Sequence, residues 1–301
     1  MQMHDEENFM VSPDKKIVLK DFDSGWIPKW AKKQQKTEGK QGVKEQAVSI
    51  LSANTQKLVE MQELFWASDT YAMLIILQGM DAAGKDSVIR HVMSGVNPQG
   101  CQVTGFKTPS EEELDHDFLW RYTKALPERG RIGIFNRSYY EDVLIVKVRP
   151  EVLARQKLPP GTEGKAFWSQ RYEDINLFER HLVRSGMLVL KFFLHLSKSQ
   201  QKRRFLKRLD DPEKHWKFSL NDLSERSKWK DYLEAYEEMV NETSTKWAPW
   251  YIIPADKKWV THALISEIIV SQIQKLKLKY PVLSKEQSEA LEKAKAQLEK
   301  E

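Results

Sequence analysis

Leu74-Ile-Ile-Leu-Gln-Gly-Met-Asp-Ala-Ala-Gly-Lys-Asp-Ser87 is an apolar run that breaks into a glycine loop, meets a lysine and continues as the start of a helix. Gly79, Gly84 and Lys85 have the spacing of a phosphate-binding loop. In such a loop backbone N–H groups surround a phosphate, the helix N-terminus adds positive potential and the lysine reaches the outer phosphates. The competing meaning is an ordinary glycine turn with a surface lysine, but a buried strand before the loop and a helix after it favour the phosphate site. The phosphate-binding candidates are Gly79, Ala82, Ala83, Gly84, Lys85, Asp86 and Ser87, with Arg90 on the helix that follows. Two residues depart from the common pattern. Asp86 stands where a Ser or Thr usually holds magnesium, and Asp81 places an extra carboxylate inside the loop. Asp81 is the metal candidate, because hard magnesium prefers carboxylate, phosphate and water oxygens.

On either side of this loop, strand-like and helix-like stretches alternate. Tyr71–Leu77 is too uniformly apolar for a half-exposed strand and reads as a buried parallel one. Cys101–Phe106, Arg131–Asn136, Met187–Leu196 and Trp250–Ala255 read as four further strands. Helical patterns cover Val43–Ala67, Lys85–Ser94 and Ser110–Lys124, the last with Ser110 and Glu113 placed as a capping box. Strands alternating with helices imply a three-layer α/β/α fold on a parallel five-stranded sheet. Residues 1–70 read as a polar, basic extension and a helix packed on the core, with Trp26 and Trp30 docking there. Residues 71–280 read as the phosphate-loop domain, with a candidate lid at about 197–222, and residues 281–301 as a charged helical tail that frays or packs on a partner. Leu158-Pro-Pro-Gly-Thr-Glu-Gly164 is a loop in a longer insertion, and no internal repeat is present.

Three more constellations carry candidate chemistry. Gly133-Ile-Phe-Asn-Arg-Ser-Tyr-Tyr-Glu-Asp142 ends a strand in a polar cluster, at the sheet edge where open parallel sheets bind ligands. Arg137 can clamp phosphate in a bidentate way, and Asn136 can orient a metal-bound water. Glu141 and Asp142 read equally as metal-linked groups or as charges favoured at a helix N-terminus. The basic helix Ser199–Leu209, ended by Asp210-Asp-Pro212, puts Arg204 and Arg208 four residues apart on one face, with Arg203 and Lys207 beside it. It is either a solvated charged face or a mobile lid that closes over phosphates. Gly105-Phe-Lys-Thr-Pro-Ser110 offers Lys107 and Thr108 to an acceptor phosphate, with Arg90 and Arg121 as candidates for the same cavity; a plain loop-to-helix connection fits them equally well.

Composition narrows the classes. The chain has 301 residues, 41% hydrophobic, with ten Trp, enough for one good core. Lys and Arg number 48 against 43 Asp and Glu, a formal charge of +5, which does not suggest a general nucleic-acid coat but allows a focused basic channel. One cysteine, Cys101, excludes an internal disulfide and fits a reducing compartment. The N-terminus lacks the apolar core of a signal peptide, and Tyr71–Leu77 and Met187–Leu196 are too short to span a bilayer, so a soluble cytoplasmic protein is expected. The seven histidines show no metal-ligand spacing and give a phosphohistidine route little support.

Several segments together resemble the polyphosphate kinase type 2 family: Gly79-Met-Asp-Ala-Ala-Gly-Lys-Asp-Ser87, Ser94-Gly-Val-Asn-Pro-Gln-Gly100, His116-Asp-Phe-Leu-Trp-Arg121, Phe135-Asn-Arg-Ser-Tyr-Tyr139 and Phe205-Leu-Lys-Arg-Leu-Asp-Asp-Pro212 with Trp216-Lys-Phe-Ser219. The resemblance covers about residues 15–280. It implies a thymidylate-kinase-like fold, magnesium with manganese as a substitute, and reversible phosphoryl transfer between polyphosphate and a nucleotide. Many members carry Asp where Asn136 stands; Asn there is similar to the class III branch, which phosphorylates both AMP and ADP. By matching motif, Asp81, Lys85 and Arg137 form the core of the site, with Arg204 and Arg208 in the lid. Lys107, Thr108, Arg121 and Asn136 are the nucleotide-binding candidates. The expected partners are polyphosphate, adenine nucleotides and a second copy of the chain, without nucleic acid or membrane. The rival readings are an ATP-dependent nucleoside or nucleotide kinase of the same fold and a non-enzymatic phosphate-loop protein binding nucleotide or nucleic acid.

Overall fold

Seven consecutive buried residues, Ala72–Gln78 (β1), form the middle of the sheet. The other strands are Cys101–Gly105 (β2), Ile132–Asn136 (β3), Met187–His195 (β4) and Trp250–Pro254 (β5). They pair in the order β2-β3-β1-β4-β5, every pairing parallel, with Leu77 level with Asn136 on one side and Phe192 on the other. The computed structural model describes residues 6–37, 39–160, 162 and 164–301. Gly161 and Glu163, in the expected 158–164 loop, lie outside the described residues.

Among the described residues, the helices of eight residues or more are Lys29–Thr37 (α1), Gly39–Ser68 (α2), Lys85–Val92 (α3), Gly164–Arg184 (α4), Lys198–Leu209 (α5), Leu220–Ser227 (α6), Trp229–Thr243 (α7), Lys258–Lys275 (α8) and Lys285–Leu298 (α9). The two-residue period of a strand splits β1 between two cores. Met73, Ile75 and Leu77 pack with Leu58 and Phe65 of α2, Val88 and Val92 of α3 and Leu264, Ile265 and Ile268 of α8. Leu74 and Ile76 pack against Tyr172 and Ile175 of α4 and Tyr236 and Met239 of α7. Each fully buried Leu or Ile contributes about 1.5–3 kcal/mol, and this sheet buries them on both faces. The three-layer α/β/α arrangement expected from the sequence is therefore the one observed.

The N-terminal extension belongs to this body. Trp26 packs edge-on against Phe9 at 5.0 Å between ring centres, and Trp30 lies 6.5 Å from Trp259. By contrast, α9 has no buried residue. Cys101 opens the edge strand β2 half-buried, and burial pushes its thiol up to about 11.

The expected single helix over Ser110–Lys124 is corrected to two short pieces, Glu111–Leu114 and Trp120–Thr123. The capping box forms as read, with Glu113 N–H on Ser110 Oγ at 3.2 Å and Ser110 N–H on Glu113 Oε2 at 2.8 Å. The helix then stops because His116 Nδ1 takes the Glu112 carbonyl at 2.8 Å. Asp117 Oδ1 next accepts the Leu119 N–H at 2.9 Å and starts a new turn.

Candidate active site

The phosphate loop leaves the C-terminal end of β1. Gly79 has φ 152°, and a Cβ there would stand 2.9 Å from the Leu194 carbonyl oxygen, so only glycine lets the loop turn against β4. Gly84, at φ 112°, precedes α3, and no side chain caps that helix start. Its first N–H groups are thus directed at the loop's interior, where an anion is favoured. Ala82 takes a left-handed φ of 62° without being glycine. Lys85 folds back into the loop, its Nζ donating to the Gly79 carbonyl at 2.6 Å. Burial first, and then the Arg137 charge, lower its pKa to about 8, against the opposing pull of Asp81, Glu141 and Asp86.

The end of β3 closes against this loop. Arg137, itself left-handed at φ 68°, donates from Nη2 to Asp81 Oδ1 at 2.9 Å. Asn136 Nδ2 donates to Asp86 Oδ1 at 2.7 Å, tying the strand end to the first turn of α3. The Glu141 charge, then that of Asp81, holds the Arg137 guanidinium above its ordinary range against the cost of burial. Asp81, Lys85, Asp86, Asn136 and Arg137 are therefore brought together as the sequence implied.

Other candidates have different company. The Ser87 hydroxyl lies 3.1 Å from His262 Nε2, whose ring stacks on His91 at 4.6 Å. Burial and the neighbouring His91, Lys258 and Arg204 lower His262 to about 4. Arg90 is exposed in the last turn of α3, and Lys107 and Thr108 are exposed beyond β2. Arg121 holds the Lys107 carbonyl at 3.0 Å, Glu113 at 3.2 Å and the Tyr122 hydroxyl at 2.8 Å. It lines a separate cavity of about 780 Å³ with Phe118, Asp142, Gln156, Phe167 and Arg171. Asp142 is likewise turned away from the loop, accepting from Gln156 Nε2 at 2.8 Å, with its pKa raised by burial.

In this structure the basic helix α5 grips the loop from behind. Arg204 Nη1 donates to the Ala82 and Ala83 carbonyls at 2.7 and 2.9 Å, and its Nη2 to the Ala255 carbonyl at 2.6 Å. Gln201 Nε2 donates to the Asp81 carbonyl at 2.9 Å. Arg208 reaches the Lys217 carbonyl at 3.2 Å and lies 3.7 Å from Asp222. The face shared by Arg204 and Arg208 is real, but Arg204 is occupied by backbone carbonyls rather than standing in a solvent-facing row.

Between these elements lies a cavity of about 150 Å³, lined by Gly79, Met80, Asp81, Arg137, Glu141, Gln201, Asp222 and Glu225, with Tyr232 and Tyr236 of α7. Burial, and then the Asp81 charge, raise the pKa of Asp222. Sequence reasoning missed Gln201, Asp222, Glu225, Tyr232 and Tyr236. Gln201 had a signal, since it shares a face with Arg204 and Arg208 at spacings of three and seven. Asp222 had another, as the third residue after the Ser219 cap. Asp81 and Glu141 flank the Arg137 guanidinium, while Glu225 is paired with Arg149 at 2.7 Å. Beside a cradle of N–H groups and a lysine, this end of the sheet can take a phosphate on one side and a cation on the other. Among the described residues no group of three or more His, Cys, Asp or Glu is arranged to hold a metal ion by itself. A magnesium ion carried by phosphates and waters needs only one or two protein carboxylates, a mode these residues do fit.

The chain matches the family described as Polyphosphate kinase 2 (PPK2) over residues 41–281. It is 54% identical over 239 residues to an ADP-polyphosphate phosphotransferase of Rhodopseudomonas palustris, covering 79% of this chain and 83% of that one. It is 42% identical over 275 residues to an AMP/ADP-polyphosphate phosphotransferase of Meiothermus ruber, covering 91% and 95%. The crystal structure of Polyphosphate Kinase 2 from Arthrobacter aurescens TC1 superimposes with a TM-score of 0.81 at 37% identity, over 97% of this chain and 96% of that one.

Proposed function

Because the chain belongs to the polyphosphate kinase 2 family, we propose that it moves the terminal phosphate of inorganic polyphosphate to AMP and to ADP, giving ADP and ATP, and that it also runs in reverse. Relatives named for ADP alone and for AMP and ADP both support a polyphosphate donor and an adenylate acceptor. The observation that carries the reading is the convergence of the uncapped phosphate loop, Lys85 and Arg137 at the ends of β1 and β3. Asn136 favours the wider acceptor range, because it spends no negative charge at the strand end where an extra phosphate has to approach.

The transfer is direct and in line. An acceptor phosphate oxygen attacks the terminal phosphorus, and the bond to the chain breaks with the shortened polyphosphate leaving. Positioning and charge neutralisation do most of the catalysis in such a loose transition state. Lys85 leaves the Gly79 carbonyl to meet phosphate oxygens, and Arg137 exchanges Asp81 for them. That exchange frees the Asp81 carboxylate for magnesium, which would be held jointly by Asp81, waters and phosphates and would neutralise charge on the transferred group. A cytoplasmic homo-oligomer is part of the same reading; the exposed Leu291 and Leu298 of α9 offer it a surface, and among the described residues no helix is long and apolar enough to cross a membrane.

The deciding assay gives purified protein AMP or ADP with magnesium and either polyphosphate or ATP as donor. Transfer from polyphosphate to both acceptors is expected. Transfer from ATP without transfer from polyphosphate would replace this reading with an ATP-dependent nucleotide kinase.

A further inference from the structure

Ala82 occupies the third position of a turn closed by the Ala83 N–H on the Met80 carbonyl at 3.0 Å, with φ 62°. An L side chain disfavours that region about tenfold relative to a right-handed one. Something outside the turn therefore has to hold it. The Asp81 carbonyl is taken by Gln201 at 2.9 Å, and the Ala82 and Ala83 carbonyls by Arg204. In a planar trans peptide the N–H points opposite to the carbonyl. Fixing the Asp81 and Ala83 carbonyls outward toward α5 thus turns the N–H groups of Ala82 and Gly84 to the opposite side.

Gln201 is itself fixed at both ends. Only 2% of it is exposed, and its Oε1 accepts from Arg226 Nη1 at 2.9 Å. The same Arg226 nitrogen donates to the Lys198 carbonyl at 2.8 Å, so α6 is joined to the first turn of α5 and, through one amide, to the loop backbone. Asp222, one turn earlier on α6, lines the cavity with Asp81.

We propose that Gln201 is a positioning residue for phosphate binding: held by Arg226, it keeps the Asp81–Ala82 peptide turned so that the loop's N–H groups face the phosphate before any ligand arrives. This rests on the reading of the loop as the phosphate cradle of a polyphosphate-consuming enzyme. It gives α5 and α6 a role in preparing the loop that is distinct from touching phosphate.

The test is a double-mutant cycle on the full chain, with tripolyphosphate binding followed by calorimetry and polyphosphate-to-ADP transfer measured alongside. Gln201→Met should weaken tripolyphosphate binding about tenfold. In the A82G background, where the left-handed turn carries no penalty, the same change should cost less than about threefold. A helix that was merely misplaced would not be repaired by A82G. Arg226→Met removes the support of Gln201 without touching the loop; it should show a smaller loss with the same rescue, and it decides the matter should Gln201→Met not fold. Equal losses in both backgrounds, or binding by Gln201→Met as tight as wild type, overturn the proposal. A wild-type protein that binds tripolyphosphate, shows the rescue and yet fails to use polyphosphate would sink the proposed reaction and leave the positioning role standing.

Discussion

Lys85 should give this protein two pH dependences of opposite sign. Without ligand its pKa is lowered from 10.5 to about 8, chiefly by burial and then by Arg137. Bound phosphates surround the ammonium with negative charge and raise its pKa again. Between pH 8 and the pKa of the complex, binding must take up one proton, and affinity falls about tenfold per pH unit. From pH 8 to 9.5 that is about thirtyfold, or about 2 kcal/mol. Folding runs the other way. A lysine whose folded pKa is below its unfolded one carries its penalty in full below pH 8, and the penalty fades as pH rises toward 10.5. The difference of about 2.5 units corresponds to about 3 kcal/mol. Titration calorimetry of tripolyphosphate in two buffers of different ionisation enthalpy, at pH 7.5, 8.5 and 9.5, reads the affinity and the proton uptake together. Denaturant unfolding of wild type against Lys85→Met over the same range reads the stability arm, where the advantage of the methionine variant should shrink as pH rises. A dissociation constant flat between pH 7.5 and 9.5, with no proton uptake, would refute the reasoning.

Three further outcomes follow from the geometry. Lys191 and Glu179 are fully buried and paired at 2.7 Å, with the Tyr139 and Tyr140 hydroxyls also on Glu179. Lys191→Met should cost about 3–5 kcal/mol in chemical denaturation, because it leaves a buried carboxylate without a counter-charge; a loss under about 1 kcal/mol would overturn that account. Gly79→Ala drives a Cβ to 2.9 Å from the Leu194 carbonyl and should lower kcat/KM for polyphosphate at least about tenfold, as measured in steady state. Asn136→Asp sets a second carboxylate where the amide now lies 2.7 Å from Asp86, and should raise KM for ADP about threefold to tenfold more than KM for AMP. Equal changes for both acceptors would separate acceptor range from the charge at this position.

β1, β3, β4 and β5 were legible because burial on both faces leaves apolar runs, whereas the edge strand β2, Cys-Gln-Val-Thr-Gly, is largely exposed and has no such run. Each of the five begins and ends within one residue of the span expected for it. The loop was legible because its backbone geometry demands glycine at fixed spacing. Chain direction along hydrogen bonds was not. Nothing in the order of residues says that Arg204 points inward at the Ala82 and Ala83 carbonyls rather than outward, or that Ser87 meets a histidine 175 positions away. The surroundings of Arg121 were not legible for a related reason. The helix expected over Ser110–Lys124 breaks at His116–Asp117, and the guanidinium is taken by Glu113 and Tyr122. Tyr232 and Tyr236 belong to no motif, and they are core residues that also line the cavity.

Cys101 makes the question of whether α5 moves open to direct observation. A thiol at about 11 is ionised in roughly one molecule in ten thousand at pH 7, and the thiolate is the form that reacts. A new cysteine at an exposed position such as Leu209 would react with a maleimide dye far faster than the natural one. The helix that grips the phosphate loop can therefore carry a single fluorophore with the natural sequence elsewhere intact, and a stopped-flow instrument reads whether it moves on polyphosphate addition.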